Sequence, residues 1–397
     1  MSDAPLATTH RAALGERALF PNLSARAYLN HAAISPPSTA LREQASAFLD
    51  DYAMGGVQGF LRWLPQKARL KEKLASLIGA DAKDLAFVAN TTAGVSNIAL
   101  TFPWKPGDTI FYYEGDFPAN VTPWQQAALA HGAETQALPI EPFHRSAEEG
   151  LSALKTALES GARMVVTSFV RFQSGLRMPI EDMAHLCHEA GAELFVDAIQ
   201  GIGAVPFDVG SVDYVACGAH KWLMGLEGLG FLYVAPGRVA ALTDRVAGWL
   251  SHEDALSFLF EGDGHLRHDR PIRKEANRFE LGAANGIGCA ALEASVDLIA
   301  QLGPCAIFEH VQAYHDALEG ALVELGFASE RHRSAELRSA SLCLRPPAGF
   351  EVSALSAALG TRGVAVTTPD GRLRFAPHWP NSLDEVPFVL EALGAVL

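Results

Sequence analysis

Six apolar runs punctuate the first two-thirds of the chain: "DLAFVAN" (84–90), "DTIFYYEGD" (108–116), "ARMVVTSFV" (162–170), "AELFVDAI" (192–199), "DYVACGA" (213–219) and "GFLYVAP" (230–236). Their apolar stretches are uninterrupted, which marks strands covered on both faces rather than strands with one wet face. Helical signals lie between them. In "MPIEDMAHLCHEAG" (178–191), Pro179 starts the helix, Glu181 and Asp182 fill its first turn, apolar residues recur at 180, 183, 186 and 187, and a glycine stops it. Strand and helix in alternation predict an α/β fold whose large domain is a mostly parallel sheet with helices on both faces. Ligands of such sheets bind beyond the carboxyl ends of the strands.

The last hundred or so residues read differently. Strands near "ASLCLRPP" and "RLRFAPH" precede a terminal helix opened by the capping-box pattern Ser382-x-x-Glu385. A smaller α+β domain over 286–397 is expected beside a large domain over 1–285, with residues 1–25 able to pack on the smaller one.

Charge narrows the function classes. The net charge of −14 argues against nucleic acid and acidic membrane surfaces as partners, because both require basic patches. No apolar stretch approaches the ~18 residues of a membrane span. Five scattered cysteines suit reduced thiols, and the N-terminus lacks the order of a signal peptide, so a cytoplasmic location is expected.

Polar residues at the strand ends are the candidates for chemistry. "NTT" (90–92) follows a strand and opens a helix, where free N–H groups and the helix dipole favour a phosphate. Asp197 ends "ELFVD", with Gln200 shortly after it. His220 and Lys221 follow "DYVACGA". A lysine in so apolar a run is costly unless it is paired or has chemistry to perform. A phosphate cradle, a buried carboxylate and a lysine nucleophile are together what pyridoxal 5′-phosphate requires: a Schiff base, an acid on its ring nitrogen and an anion site. Other motifs fail their context. "GLEGLG" (225–230) precedes a strand instead of opening a helix, which argues against a nicotinamide enzyme. "HLCHEAG" (185–191) has no second ligand group nearby, so no metal is expected.

Seven segments, in order, carry a family resemblance: "YLNHAAISP" (28–36), "NTTAGVSN", "DFPANVTPW", "VDAIQGIG", "GAHKWLMG", "RFELGAAN" and "LRFAPHWPN" (373–381). The chain resembles the fold-type I pyridoxal-phosphate enzymes of the class V aminotransferase group, which includes cysteine desulfurases, isopenicillin N epimerases and kynureninases. The resemblance implies a seven-stranded sheet in the large domain. It implies that Lys221 bears the cofactor and Asp197 meets its ring nitrogen. Thr91, Thr92 and His220 would lie at the phosphate, Phe117 would stack on the ring, and Gln200 would bond the ring oxygen. Arg374 would clamp the substrate carboxylate, with Asn30 and His31 also at the substrate. A homodimer is implied, with "RFELGAAN" reaching the neighbouring subunit's phosphate.

Three departures sharpen the expectation. Gly218 and Ala283 stand where relatives often have hydroxyl residues. Phe169 replaces a polar residue found in some relatives, leaving Arg171 or Gln173 as candidates for a local role. The stretch before Arg374, "TRGVAVTTPDGRL" (361–373), has no cysteine, and Cys343 sits in an apolar strand, so persulfide transfer is not expected. The expected reaction is transamination or elimination at an amino acid. Epimerisation is the alternative, and a catalytically silent scaffold is a second reading.

Overall fold

The structure, a computed structural model, describes residues 10–397. A two-residue strand, β1 (Ala27–Tyr28), comes first. Seven strands follow: β2 (Leu85–Val88), β3 (Thr109–Tyr113), β4 (Glu134–Leu138), β5 (Met164–Ser168), β6 (Glu193–Asp197), β7 (Tyr214–Gly218) and β8 (Gly230–Val234). They form one sheet in the order β2-β8-β7-β6-β5-β3-β4, in which β8 alone runs antiparallel to its neighbours. Six of these strands coincide with the six apolar runs. β4 was not read from the sequence, because as an edge strand it alternates: "ETQAL" exposes Glu134 and Gln136 to part or full solvent and buries Leu138.

The sheet divides two apolar layers. Phe87, Phe111, Val165, Leu194, Val196 and Val215 face one, and Ala86, Ile110, Met164, Val166, Phe195 and Ala216 face the other. Adjacent residues point to opposite faces, so burial on both sides accounts for the unbroken apolar runs.

Four short strands lie apart: β9 (Ala328–Ser329), β10 (Leu342–Arg345), β11 (Val364–Ala365) and β12 (Leu373–Phe375). β12-β10-β9 make a small antiparallel sheet, and β11 pairs with β1 in parallel. A separate apolar cluster unites Ala27 and Leu29 with Tyr314, Leu318, Leu342, Phe375 and Val389. The helix Gly286–Leu302 instead packs on the helices Thr39–Gly55 and Val57–Leu77, and its Leu292 and Ile299 belong to the large core. Apolar packing therefore ties this helix to the larger body.

Residues 1–9 lie outside the described region, but Gly15 N donates to Trp379 O at 2.7 Å. The capping box at Ser382 and Glu385 is present. Among the described residues no single helix is long and apolar enough to cross a membrane; one pair, Gly286–Leu302 with Pro304–Glu324, reaches the length only across a 77° bend.

Candidate active site

Parallel strands bring their carboxyl ends to one edge of the sheet, and the polar candidates gather there because each follows a strand end. Asp197 is the last residue of β6 and is 3% exposed. Its Oδ1 accepts from Ile199 N at 3.0 Å. Burial pushes its pKa up to about 7; the Ile199 bond opposes the rise, the Asp116 carboxylate adds to it, and the Lys221 charge opposes it. Lys221 lies just beyond β7, and burial brings its ammonium down to about 8, against the attraction of Asp197 and with the help of Arg374. Asp197 and Arg374 are therefore both close enough to perturb Lys221.

The turn carrying Lys221 is pinned on several sides. Ser35 Oγ donates to Lys221 O at 2.6 Å, Met224 N donates to the same carbonyl at 2.9 Å, and Met224 holds a positive φ of 55°. Lys221 Nζ stands 5.7 Å from the centroid of the Phe117 ring. Phe117 follows β3 and is 45% exposed, so one face of its ring is open for stacking.

The helix Thr91–Thr101 begins where β2 ends. Asn90 caps it, its side chain accepting from Ala93 N and its carbonyl from Gly94 N, which leaves the first two helical N–H groups to an external anion. Thr91 is buried, and its Oγ1 accepts from Gly218 N at 2.9 Å, tying the helix to β7. Thr92 is exposed on the rim. Any Cβ at position 218 would come within 2.9 Å of Ile199 Cδ1 and 3.2 Å of Thr91 Oγ1. A Cβ there would press on the end of the Ile199 side chain, and the hydroxyl of Thr91 occupies the flank of that position. His220 is half-buried beside it, its pKa lowered first by burial and then by Lys221.

Arg374, in β12, is 5% exposed. Its Nε donates to Thr367 Oγ1 at 3.2 Å and its Nη1 to Phe172 O at 3.1 Å, but no carboxylate among the described residues pairs with it. A buried guanidinium without an anion is costly, which makes Arg374 a candidate for binding one. Asn30 lies alongside, bridged to Ala376, and its Oδ1 is buried with no partner among the described residues.

Two expected residues are otherwise engaged. His31 is 1% exposed; its Nδ1 meets Ser35 Oγ at 2.7 Å and its ring lies edge-on to His378 at 5.4 Å. It supports the Lys221 turn through Ser35, and tertiary packing closes over its ring. Gln200 is 6% exposed, donates to Ala32 O at 3.2 Å and accepts from Trp222 Nε1 at 3.2 Å, so one N–H remains for the ring oxygen. Phe169 is core, in contact with Phe207 at 4.8 Å. Of the two local candidates, Gln173 reaches Asp370 Oδ2 at 2.7 Å, whereas Arg171 is buried against Asp116. Asp116 was missed in the sequence: "EGDFPAN" shows the carboxylate but not that it turns inward.

The set fits pyridoxal phosphate on its own chemistry. A buried carboxylate, a lysine of lowered pKa, an open aromatic face, a helix N-terminus and an unpaired buried arginine converge on one edge. Comparison with known proteins agrees. An uncharacterized aminotransferase of Bacillus subtilis (strain 168), YcbU, is 25% identical over 393 residues, covering 96% of each chain. A cysteine desulfurase of Escherichia coli (strain SE11) is 30% identical over 315 residues, 75% of this chain and 74% of that one. Among solved structures, the cystine C-S lyase C-DES in complex with cysteine persulfide has a TM-score of 0.84 at 20% identity, covering 94% of this chain and 98% of the other. The model of the aminotransferase class-V family matches residues 28–374, and the chain is accordingly a member of that family and a pyridoxal-phosphate enzyme.

Proposed function

We propose that this enzyme binds an amino acid at Arg374 and performs transamination or elimination at the substrate Cα, with Lys221 as the residue that would hold the cofactor. The observation that carries this reading is the buried, anion-free Arg374 set within electrostatic reach of Lys221. Pyridoxal phosphate, when bound, supplies an aldehyde that captures amines and a ring that accepts the electrons of a broken Cα bond. Asp197 holds a proton at the ring nitrogen. Thr92, the helix N-terminus and His220 hold the phosphate, Thr91 braces that helix, and Phe117 covers the ring face. Lys221, once free, carries the proton at Cα. Arg374 orients the substrate by two parallel hydrogen bonds to its carboxylate.

Sulfur is not relayed through a protein thiol in this reading. The stretch 361–373 has no cysteine, and Cys343, paired with Arg374 across β10 and β12, is fully buried with its thiol pushed up to about 12 by burial. Relatives named cysteine desulfurases belong to the same family, so the distinction rests on where the thiols lie. Epimerisation is the second reading, since it begins with the same loss of the Cα proton. A homodimer is supported by the exposed apolar residues Leu49, Met54, Val57, Leu61 and Leu64 on two adjoining helices. In such a dimer the segment 281–284, largely exposed, would reach a neighbour's phosphate, and a cytoplasmic location suits the unpaired cysteines.

The test is direct. Purified protein should be yellow, borohydride should fix the cofactor to Lys221, and Lys221→Ala should abolish that adduct. A panel of amino acids then separates the reactions. Pyruvate with ammonia marks elimination, a keto acid with pyridoxamine phosphate marks transamination, and substrate recovered with inverted configuration and solvent deuterium marks epimerisation. A protein that takes up no cofactor would favour the silent scaffold.

A further inference from the structure

Asp116 lies just after β3, and its side chain is 1% exposed. Four groups converge on its carboxylate. Ser168 Oγ donates to Oδ1 at 2.6 Å and Phe117 N at 2.8 Å; Asn120 Nδ2 donates to Oδ2 at 3.3 Å, and Arg171 Nη1 stands 3.0 Å from Oδ2. The last contact is ionic rather than a straight hydrogen bond, because the N–H direction misses the oxygen. The Arg171 side chain is 2% exposed, and its Nη2 donates to Glu114 O at 2.5 Å. Its backbone is also tied: Arg171 N donates to Leu176 O at 2.8 Å, and Gly175 N to Arg171 O at 2.9 Å.

Phe172 rides on the turn so closed. Its ring meets Phe117 edge-on at 5.3 Å, and its carbonyl accepts from Arg374 Nη1 at 3.1 Å. One buried ion pair therefore fastens the Phe117 turn to the Arg374 side chain. Stability alone explains such a pair poorly, since apolar replacements of buried pairs are often as stable or more so. Orientation explains it better.

We infer that Asp116 and Arg171 are positioning residues that hold Phe117 and, through the Phe172 carbonyl, Arg374 in one fixed arrangement for a substrate carboxylate. This rests on the reading of Lys221 and Arg374 given above. Arg171 does not touch the carboxylate. It sets the carbonyl that aims the Arg374 fork, and a fork turned off axis forfeits one of its two parallel hydrogen bonds.

The test uses reconstituted holoenzyme and two reagents that bleach it: aminooxyacetate, which carries a carboxylate, and methoxyamine, which does not. Both condense with the cofactor aldehyde and release Lys221, so the ratio of their rates reports carboxylate recognition. Arg171→Met is expected to lower that ratio about tenfold while the methoxyamine rate stays within about twofold of wild type. In an Arg374→Met background the same substitution should leave the ratio unchanged, because effects transmitted through one residue are not additive. Arg171→Lys, which keeps the cation but not the fork, should lose only about threefold, and it carries the test if Arg171→Met does not fold. An unchanged ratio in the Arg171 variants, or an equal loss with and without Arg374, overturns the proposal. A wild type that methoxyamine fails to bleach overturns the Lys221 reading itself, and this proposal with it.

Discussion

Lys221 Nζ stands 5.7 Å from the centre of the Phe117 ring, although the two residues follow different strands, β7 and β3. Between those strands in the sheet lie β6 and β5, and β6 ends in Asp197. The amine, the aromatic face and the carboxylate thus border one space at the sheet edge, and the chemistry of each is set by the others.

Burial brings Lys221 down to about 8, and only the neutral amine attacks an aldehyde. The rate at which apoprotein captures pyridoxal phosphate should rise as pH passes about 8 and level off above it. Asp197→Asn removes the charge that favours the ammonium, so the midpoint should move to lower pH while turnover falls roughly a hundredfold. Absorbance at the Schiff-base band gives both; a wild-type midpoint near the ordinary lysine value would contradict the burial argument.

Asp197 makes a matching claim about stability. Its folded pKa of about 7 exceeds its unfolded value, so the folded chain holds the proton more tightly. Stability of the apoprotein should therefore fall as pH climbs from about 4 to about 7, the interval between the unfolded and folded values. Asp197→Asn should melt higher than wild type at pH 8, by at most a few kcal/mol, and the gap should close near pH 4. An equal gap at both pH values would count against it.

Gly94 lets the helix proposed to hold the phosphate lie close on the sheet. A Cβ there would fall 2.8 Å from Ala216 Cβ in β7. Gly94→Ala should cost about 1–3 kcal/mol by overpacking and, by lifting the helix away from the Thr91–Gly218 bond, weaken cofactor binding. Urea unfolding with a cofactor titration checks both, and wild-type affinity in the variant would refute the link.

Arg374→Met removes the cation proposed for the substrate. Half-saturation by amino acids should rise at least roughly thirtyfold, as for a buried charge pair that loses one partner. Binding of the matching amine without a carboxylate should change little. Equal losses for both ligands would show that Arg374 acts through the fold instead.

Val57 is 64% exposed and Met54 78%. If this face is the dimer contact, Val57→Glu should shift sedimentation toward the monomer and reduce activity with it. A wild type that already sediments as a monomer would end that reading.

Much of this was legible in one dimension because it follows from local rules. Apolar runs buried on both faces mark β2, β3 and β5 to β8, and a strand end is where a parallel sheet places a functional group. Lys221, Asp197 and the cap at Asn90 could be found for that reason. The edge strand β4 could not, since its alternation resembles a solvated loop.

What the sequence alone determined was the class of fold and the chemical identity of the groups at its edge, because both depend on residue type and short-range pattern. Tertiary structure decided their company. His31 packs against His378, across more than three hundred residues; Asp116 turns inward to Arg171; Arg374 is left without an anion among the described residues. Those outcomes depend on contacts between distant segments, and no local pattern encodes which buried charge will find a partner.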